Sequence, residues 1–112
     1  IEEIKEEMDK LTEDILEMKN SGEVILCMDA NAKTGLMGEV MSRNGRLISD
    51  VFKECELEIM NGKNICKGVI TRQNRRVPAE RSAIDLIVAT LEASKWFHKI
   101  LIDESGDYRV RN

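Results

Sequence analysis

The sequence predicts an α/β fold, a mixed sheet with helices outside it, and three observations carry that expectation. Ile1, Ile4, Met8, Leu11, Ile15 and Met18 recur at alternating intervals of three and four among Glu, Asp and Lys, the spacing of an amphipathic helix. Apolar runs, Val24 to Met28 and Ser82 to Ala89, are bounded by polar residues, as strands are. Leu47, Ile48, Val51, Phe52 and Cys55 give a second helical face between them. At 112 residues and 42% hydrophobic content the chain suits one domain with one core.

The first helix ends at Asn20-Ser21-Gly22. Three-four spacing is also the pattern of a coiled-coil seam, so pairing with a second copy stands beside packing on a sheet. Val24 to Met28 reads as a buried strand ending at Asp29, with Asn31 two positions on, at the C-terminal end where open α/β sheets place their chemistry. Asp and Asn also end strands by turning onto their own backbone, and both readings stay open. A Gly-bearing loop, Ala32 to Ser42, leads to Asn44, a good N-cap for a helix from Gly45 to Cys55.

Leu57 to Met60 is then a short strand, Asn61-Gly62 a turn and Val69 to Gln73 a strand. Asn74 to Arg81, which holds the sole proline, is a connection. Ser82 to Ala89 is nearly all apolar around Asp85, as expected of a central strand covered on both faces. A lone buried carboxylate costs several kcal/mol, so Asp85 should have a committed partner. A helical turn over Leu91 to Phe97, a strand from Lys99 to Ile102 and a hairpin turn at Ser105-Gly106-Asp107 into Tyr108-Arg109-Val110 complete the chain.

In this order, Met28-Asp29-Ala30-Asn31-Ala32, Asn44-Gly45, Leu57-Glu58-Ile59-Met60-Asn61, Ile70-Thr71-Arg72 and Ser82-Ala83-Ile84-Asp85-Leu86-Ile87-Val88 resemble a known pattern. It is that of the endonuclease/exonuclease/phosphatase superfamily, the DNase I-like fold, especially the endonuclease domains attached to non-LTR retrotransposon reverse transcriptases. The family's Gly-Asp-Phe-Asn-Ala box keeps both functional side chains here and lacks the Gly and the Phe. The resemblance spans Ile1 to Asn112 but covers only about the C-terminal half of a family domain. It implies a partial DNase I-like sandwich, incomplete at both ends, and the start within a helix without Met points to a fragment as well.

The resemblance implies metal-dependent phosphodiester hydrolysis, with Asp29, Asn31 and Asp85 as catalytic residues. Asp29 would accept a hydrogen bond from the attacking water and Asn31 donate to a non-bridging phosphate oxygen; an Asp-x-Asn pair on a strand points both to the same side. The family residue matching Asp85 orients a His from a Ser-Asp-His box, and this chain stops before that box. A buried carboxylate satisfied by backbone or Arg is the alternative reading of Asp85. His98, the only His, matches no catalytic position and reads as structural or exposed. The family's main metal-ligating Glu, its neighbouring Asn and a catalytic Tyr come from the N-terminal half. Mg²⁺ is therefore expected in the complete domain but not to bind tightly here, no metal ligand is assigned, and the isolated chain should be inactive.

Arg72, Arg75, Arg76 and Arg81 with Lys67 form a basic cluster, and the matching loop of related endonucleases faces DNA. A solvated loop explains the cluster too. Thr71 falls near the family's substrate groove and Asn61 closes a strand, although strand propensity and turn formation explain both residues equally. DNA is the expected partner of the complete domain. Self-association through residues 1–20 or exposed sheet edges is the other.

The net charge of -4 is uneven: Ile1 to Asn20 holds eight acidic and three basic residues, -5, leaving +1 for the rest. Three cysteines without Cys-x-x-Cys spacing suggest neither a disulfide framework nor a zinc site, and favour a reducing, intracellular setting, nuclear if the parent is a retroelement protein. No apolar stretch approaches the ~20 residues of a membrane span. Asp29-x-Asn31-x-Lys33 begins like a calcium loop, but Thr34 stands where Gly is needed and Val40 where Glu is. Two alternatives to an endonuclease remain: a catalytically dead remnant acting as a binding or oligomerising module, and a phosphatase of the same superfamily.

Overall fold

The computed structural model describes residues 2–73 and 81–104. Three strands, β1 (Ile25–Asp29), β2 (Leu57–Ile59) and β6 (Asp85–Thr90), form a sheet in the order β1-β6-β2 with both pairings antiparallel. Two helices, α1 (Glu2–Ser21) and α2 (Arg43–Glu54), lie against it. A four-residue helix α3 (Leu91–Ser94) follows β6 directly. β3 (Cys66–Lys67) pairs in parallel with β7 (Ile100–Leu101), and β4 (Arg72–Gln73) pairs antiparallel with β5 (Arg81–Ser82). The fold is α/β as expected.

Alternation along the strands gives the sheet two unlike faces. Leu26, Met28, Ile59, Leu86 and Val88 face the helices and join Ile15, Ile48, Val51, Phe52 and Cys55 in the main core. Each large side chain buried there stabilises the fold by about 1.5–3 kcal/mol. On the other face, Ile87 and Ala89 meet Met60, Ala93, Ile100 and Phe97, which cover the end nearer β2. Beside β1 that face is open: Ile25 is 48% exposed, and Cys27 and Asp29 are exposed as well.

The helices form where the apolar spacing places them. In α1 the packed positions are Met8, Leu11 and Ile15, whereas Met18, last of the stripe, is 45% exposed. Lys19 of that turn instead donates from Nζ to the Cys55 carbonyl at 2.6 Å, capping the end of α2 with a cation, the charge a helix C-terminus favours. Burial, with Glu54 nearby, pushes the Cys55 thiol up, so it packs as a neutral side chain.

Four expectations are corrected. Among the described residues β1 is an edge strand with alternate side chains turned outward, not the buried strand expected of this apolar run. The N-cap of α2 is Ser42 rather than Asn44: its Oγ accepts from the Gly45 N–H at 3.0 Å, the reach an N-cap hydroxyl has to the third helical residue. The strand expected over Val69 to Gln73 is only Arg72–Gln73, because Val69 and Ile70 give their N–H groups to a side chain, and β3 lies ahead of it. The strand expected from Ser82 begins at Asp85. The turn expected at Ser105-Gly106-Asp107 lies outside the described residues.

A Cβ added at Gly45 would lie 1.7 Å from the Lys33 carbonyl oxygen. Within a helix Ala normally outranks Gly by about 1 kcal/mol, so Gly45→Ala tests which effect wins. The expected result is a loss of about 3 kcal/mol, read from the denaturant midpoint. The exposed β1 edge and Ile25 should drive self-association; light scattering should find oligomers that Ile25→Lys reduces, and a monomer with a sharp melting transition would contradict this.

Candidate functional site

The site is built on one register. β1 and β6 pair so that Asp29 stands opposite Asp85. The next pair is hydrogen-bonded, Ala30 N–H donating to the Ile84 carbonyl at 2.8 Å. Asp29 and Asp85 are therefore a non-hydrogen-bonded pair, with Cα atoms about 4.5 Å apart and side chains leaving on the same face. Both are exposed on the open face, and among the described residues neither carboxylate has a cationic partner.

This corrects the expectation that Asp85 is buried with a committed partner. As the first residue of β6 it projects into solvent, which hydrates the charge. Its backbone is what is committed. The Asp85 carbonyl accepts from Asn61 Nδ2 at 3.0 Å, and Asn61 Oδ1 accepts from the Ile87 N–H at 2.9 Å. Asn61 is 5% exposed, and its amide continues the β2 ladder past the point where the backbone turns away. Thr71 Oγ1 accepts from the N–H groups of Ile84 at 2.9 Å and Asp85 at 3.1 Å. The residue expected at a substrate groove thus holds the start of β6, leaving its hydroxyl proton to donate.

Asn31 is placed by a turn rather than by strand alternation. β1 stops at Asp29, whose Oδ1 accepts from the Asn31 N–H at 2.9 Å, and Asn31 has φ 45°. Asn is among the few side chains that tolerate this left-handed region. Asp29 and Asn31 are therefore both exposed at one strand end, but not because they share a face of a strand.

Two glutamates unremarked in the sequence organise the flanking loops. Glu104 Oε1 accepts from the N–H groups of Val69 at 2.7 Å and Ile70 at 3.1 Å, just before Thr71. Those two bonds hold its carboxyl below the ordinary glutamate value, against a smaller effect of burial and with help from Arg81. Glu39 accepts from Gly35 N–H at 3.1 Å and Met37 N–H at 2.7 Å. Burial pushes its carboxyl up, but the amides of Glu39, Met37 and Gly35 and the charge of Lys33 outweigh that and leave it lowered. The same loop is tied to α2, since Ser42 N–H donates to the Lys33 carbonyl at 3.1 Å and Lys33 N–H donates to Ser42 Oγ at 3.1 Å.

The basic cluster is only partly brought together. Arg72 and Arg81 lie on the paired strands β4 and β5, while Lys67 is on β3, which pairs with β7. Arg75 and Arg76 lie outside the described residues. Arg81 and His98 are exposed. Among the described residues no group of three or more His, Cys, Asp or Glu side chains could hold a metal, and no helix is long and apolar enough to cross a membrane.

The lowered carboxyls of Glu39 and Glu104 predict acid sensitivity. A folded value below the unfolded one contributes stability above the unfolded value of about 4.3, lost as pH falls through the folded value. The urea midpoint should therefore fall as pH drops from about 5 to about 3. In Glu104→Gln, which keeps an acceptor oxygen but cannot titrate, the fall should be smaller; equal falls would count against the carboxylate latch.

The model of a protein family described as endonuclease-reverse transcriptase matches residues 2–106. No curated protein and no solved structure matches the chain. The family match takes in the strand end at Asp29, the residues latching β6 and Glu104, and the chain belongs to the endonuclease-reverse transcriptase family.

Proposed function

We propose that the chain is the C-terminal half of a DNase I-like, divalent-metal-dependent phosphodiesterase domain, an endonuclease that cuts DNA, and that it is inactive alone. The observation that carries this reading is the in-register pair of exposed carboxylates, Asp29 and Asp85, on an open sheet face. Like charges directly opposite one another destabilise a sheet, so a structural role does not account for them.

In this reading Asp29 accepts a hydrogen bond from the attacking water. Its Oδ1 is held by the Asn31 N–H, which fixes the carboxylate plane and leaves Oδ2 for the water. The Asn31 side chain donates to a non-bridging phosphate oxygen, and its left-handed backbone is the local strain that functional turns tolerate. Asp85 matches the family residue that orients a His, and its backbone is fixed from both sides by Asn61 and Thr71. The described residues offer an opposed pair of carboxylates and no larger donor cluster. That falls short of the oxygen ligands Mg²⁺ requires.

One observation favours this reading over a remnant that oligomerises through its first helix. Met8, Leu11 and Ile15, the face such a helix would use, are packed in the chain's own core. A plasmid-nicking assay with Mg²⁺ tests the proposal. The isolated chain should give no turnover. The chain within its longer parent should nick, and Asp29→Ala should lower that rate by roughly 10²–10⁴-fold. Turnover by the isolated chain that Asp29→Ala abolishes would overturn the assignment of this chain as an incomplete half. A parent that nicks equally well with Asp29→Ala would overturn the assigned chemistry.

A further inference from the structure

The three-stranded sheet has two edges, and they are unlike. β2 is three residues long, follows the left-handed Glu56 (φ 57°) and carries Glu58 in an ion pair with Lys63 at 3.3 Å. Short, charged edges of this kind resist pairing with another chain. β1 is five residues long, apolar up to Asp29 and without a cation. Its outward side chains Ile25 and Cys27 are exposed, and even on the helix side Leu26 and Met28 are only partly buried.

The backbone of β1 is half used. The bonds of Val24 with Thr90 and of Ala30 with Ile84 fix which residues point toward β6, namely the even-numbered ones from Val24 to Ala30. Ile25, Cys27 and Asp29 therefore turn three N–H and three C=O groups to the free edge, where none has a partner among the described residues. Such a row is its own complement when a second copy runs antiparallel beside it.

We propose that two copies of the chain pair β1 against β1 about a two-fold axis, in the register centred on Cys27, and so join two three-stranded sheets into one of six strands. In that register Cys27 faces the partner's Cys27 and Ile25 faces the partner's Asp29, so three donors from each copy make six hydrogen bonds. Leu26 then lies opposite the partner's Met28 in the closer, non-hydrogen-bonded geometry, and these partly buried side chains cover one another. A slip of two residues leaves four of those bonds and, in one direction, sets Glu23 against the partner's Asp29. Parallel pairing in register would set the two Asp29 carboxylates side by side. In the centred register they stand about 14 Å apart along the strand, beyond the ~10 Å over which exposed charges act at about 0.1 M salt. The one unprotected edge of each copy is consumed, so the assembly closes at the dimer. This inference goes beyond the phosphodiesterase reading and needs nothing from it.

The 112-residue chain, kept reduced, should show a monomer–dimer equilibrium in sedimentation velocity, with Kd on the order of 10–100 µM as suits a short edge contact. Ile25→Lys should raise that Kd roughly tenfold or more. Cys27→Pro should do the same, because the N–H it deletes is one that β6 does not use. An unchanged circular dichroism spectrum checks that both variants fold. Cross-linking reads the register: Cα atoms of a hydrogen-bonded pair are about 5.5 Å apart, within the span of a disulfide. Diamide, which takes up two electrons and two protons as two thiols join, should give a covalent dimer that Cys27→Ser abolishes and Cys66→Ser does not. Cys27→Ser should still dimerise in sedimentation. A monomer at every concentration would overturn the proposal, and β1 amides protected from hydrogen exchange in that monomer would give the edge to another segment of the chain. Species that grow past the dimer would overturn it too, as would cross-linking equally fast in Ile25→Lys. None of these outcomes bears on nicking by the longer parent.

Discussion

The structure depends on the antiparallel register of β1 with β6, which sets Asp29 opposite Asp85. A slip of one residue would turn every side chain of a strand to the other face, taking Leu26 and Met28, or Leu86 and Val88, out of the core. The same interaction that buries the apolar residues therefore fixes the two carboxylates together. Two like charges opposite one another cost stability locally, and the core on the other side of the sheet offsets that cost.

The register is pinned at both ends by side chains that imitate backbone. At the far end Thr90 Oγ1 accepts from the Val24 N–H at 3.2 Å, while the Thr90 N–H donates to the Val24 carbonyl at 3.0 Å. At the near end Asn61 and Thr71 hold the amides and carbonyl around Asp85, and Glu104 in turn holds the segment that presents Thr71. None of these groups touches the Asp85 carboxylate. They immobilise the peptide that carries it, which is how a charge can be held in place at an exposed position.

Among the described residues the second face of the sheet is covered at one edge only. Met60, Ala93, Ile100 and Phe97 cover the β2 side, while Ile25 and Cys27 stand open beside Asp29. Charge therefore stands at the rim of the open face, with apolar residues behind it. The loop from Lys33 to Ser42 closes the other side of the rim, and its contact with Gly45 couples the start of α2 to the end of β1.

The sequence by itself determined the elements. The three-four stripe of α1, the apolar face of α2 and the runs that became β1 and β6 are local patterns, and each formed because burying its apolar side chains outweighs the entropy of ordering it. The Asp29/Asn31 box and Asp85 were legible as well, because their residue types and order match a family pattern. Tertiary structure decided what those patterns could not carry. Strand periodicity allowed Asn31 to share a face with Asp29, but a hydrogen bond to the Asp29 carboxylate placed it in a turn. An Asp within an apolar run read as buried, yet it became the exposed first residue of its strand once Asn61 and Thr71 took up its backbone. Glu104 left no local trace, because its partners are backbone amides 34 and 35 residues away, and a backbone amide looks the same in every sequence.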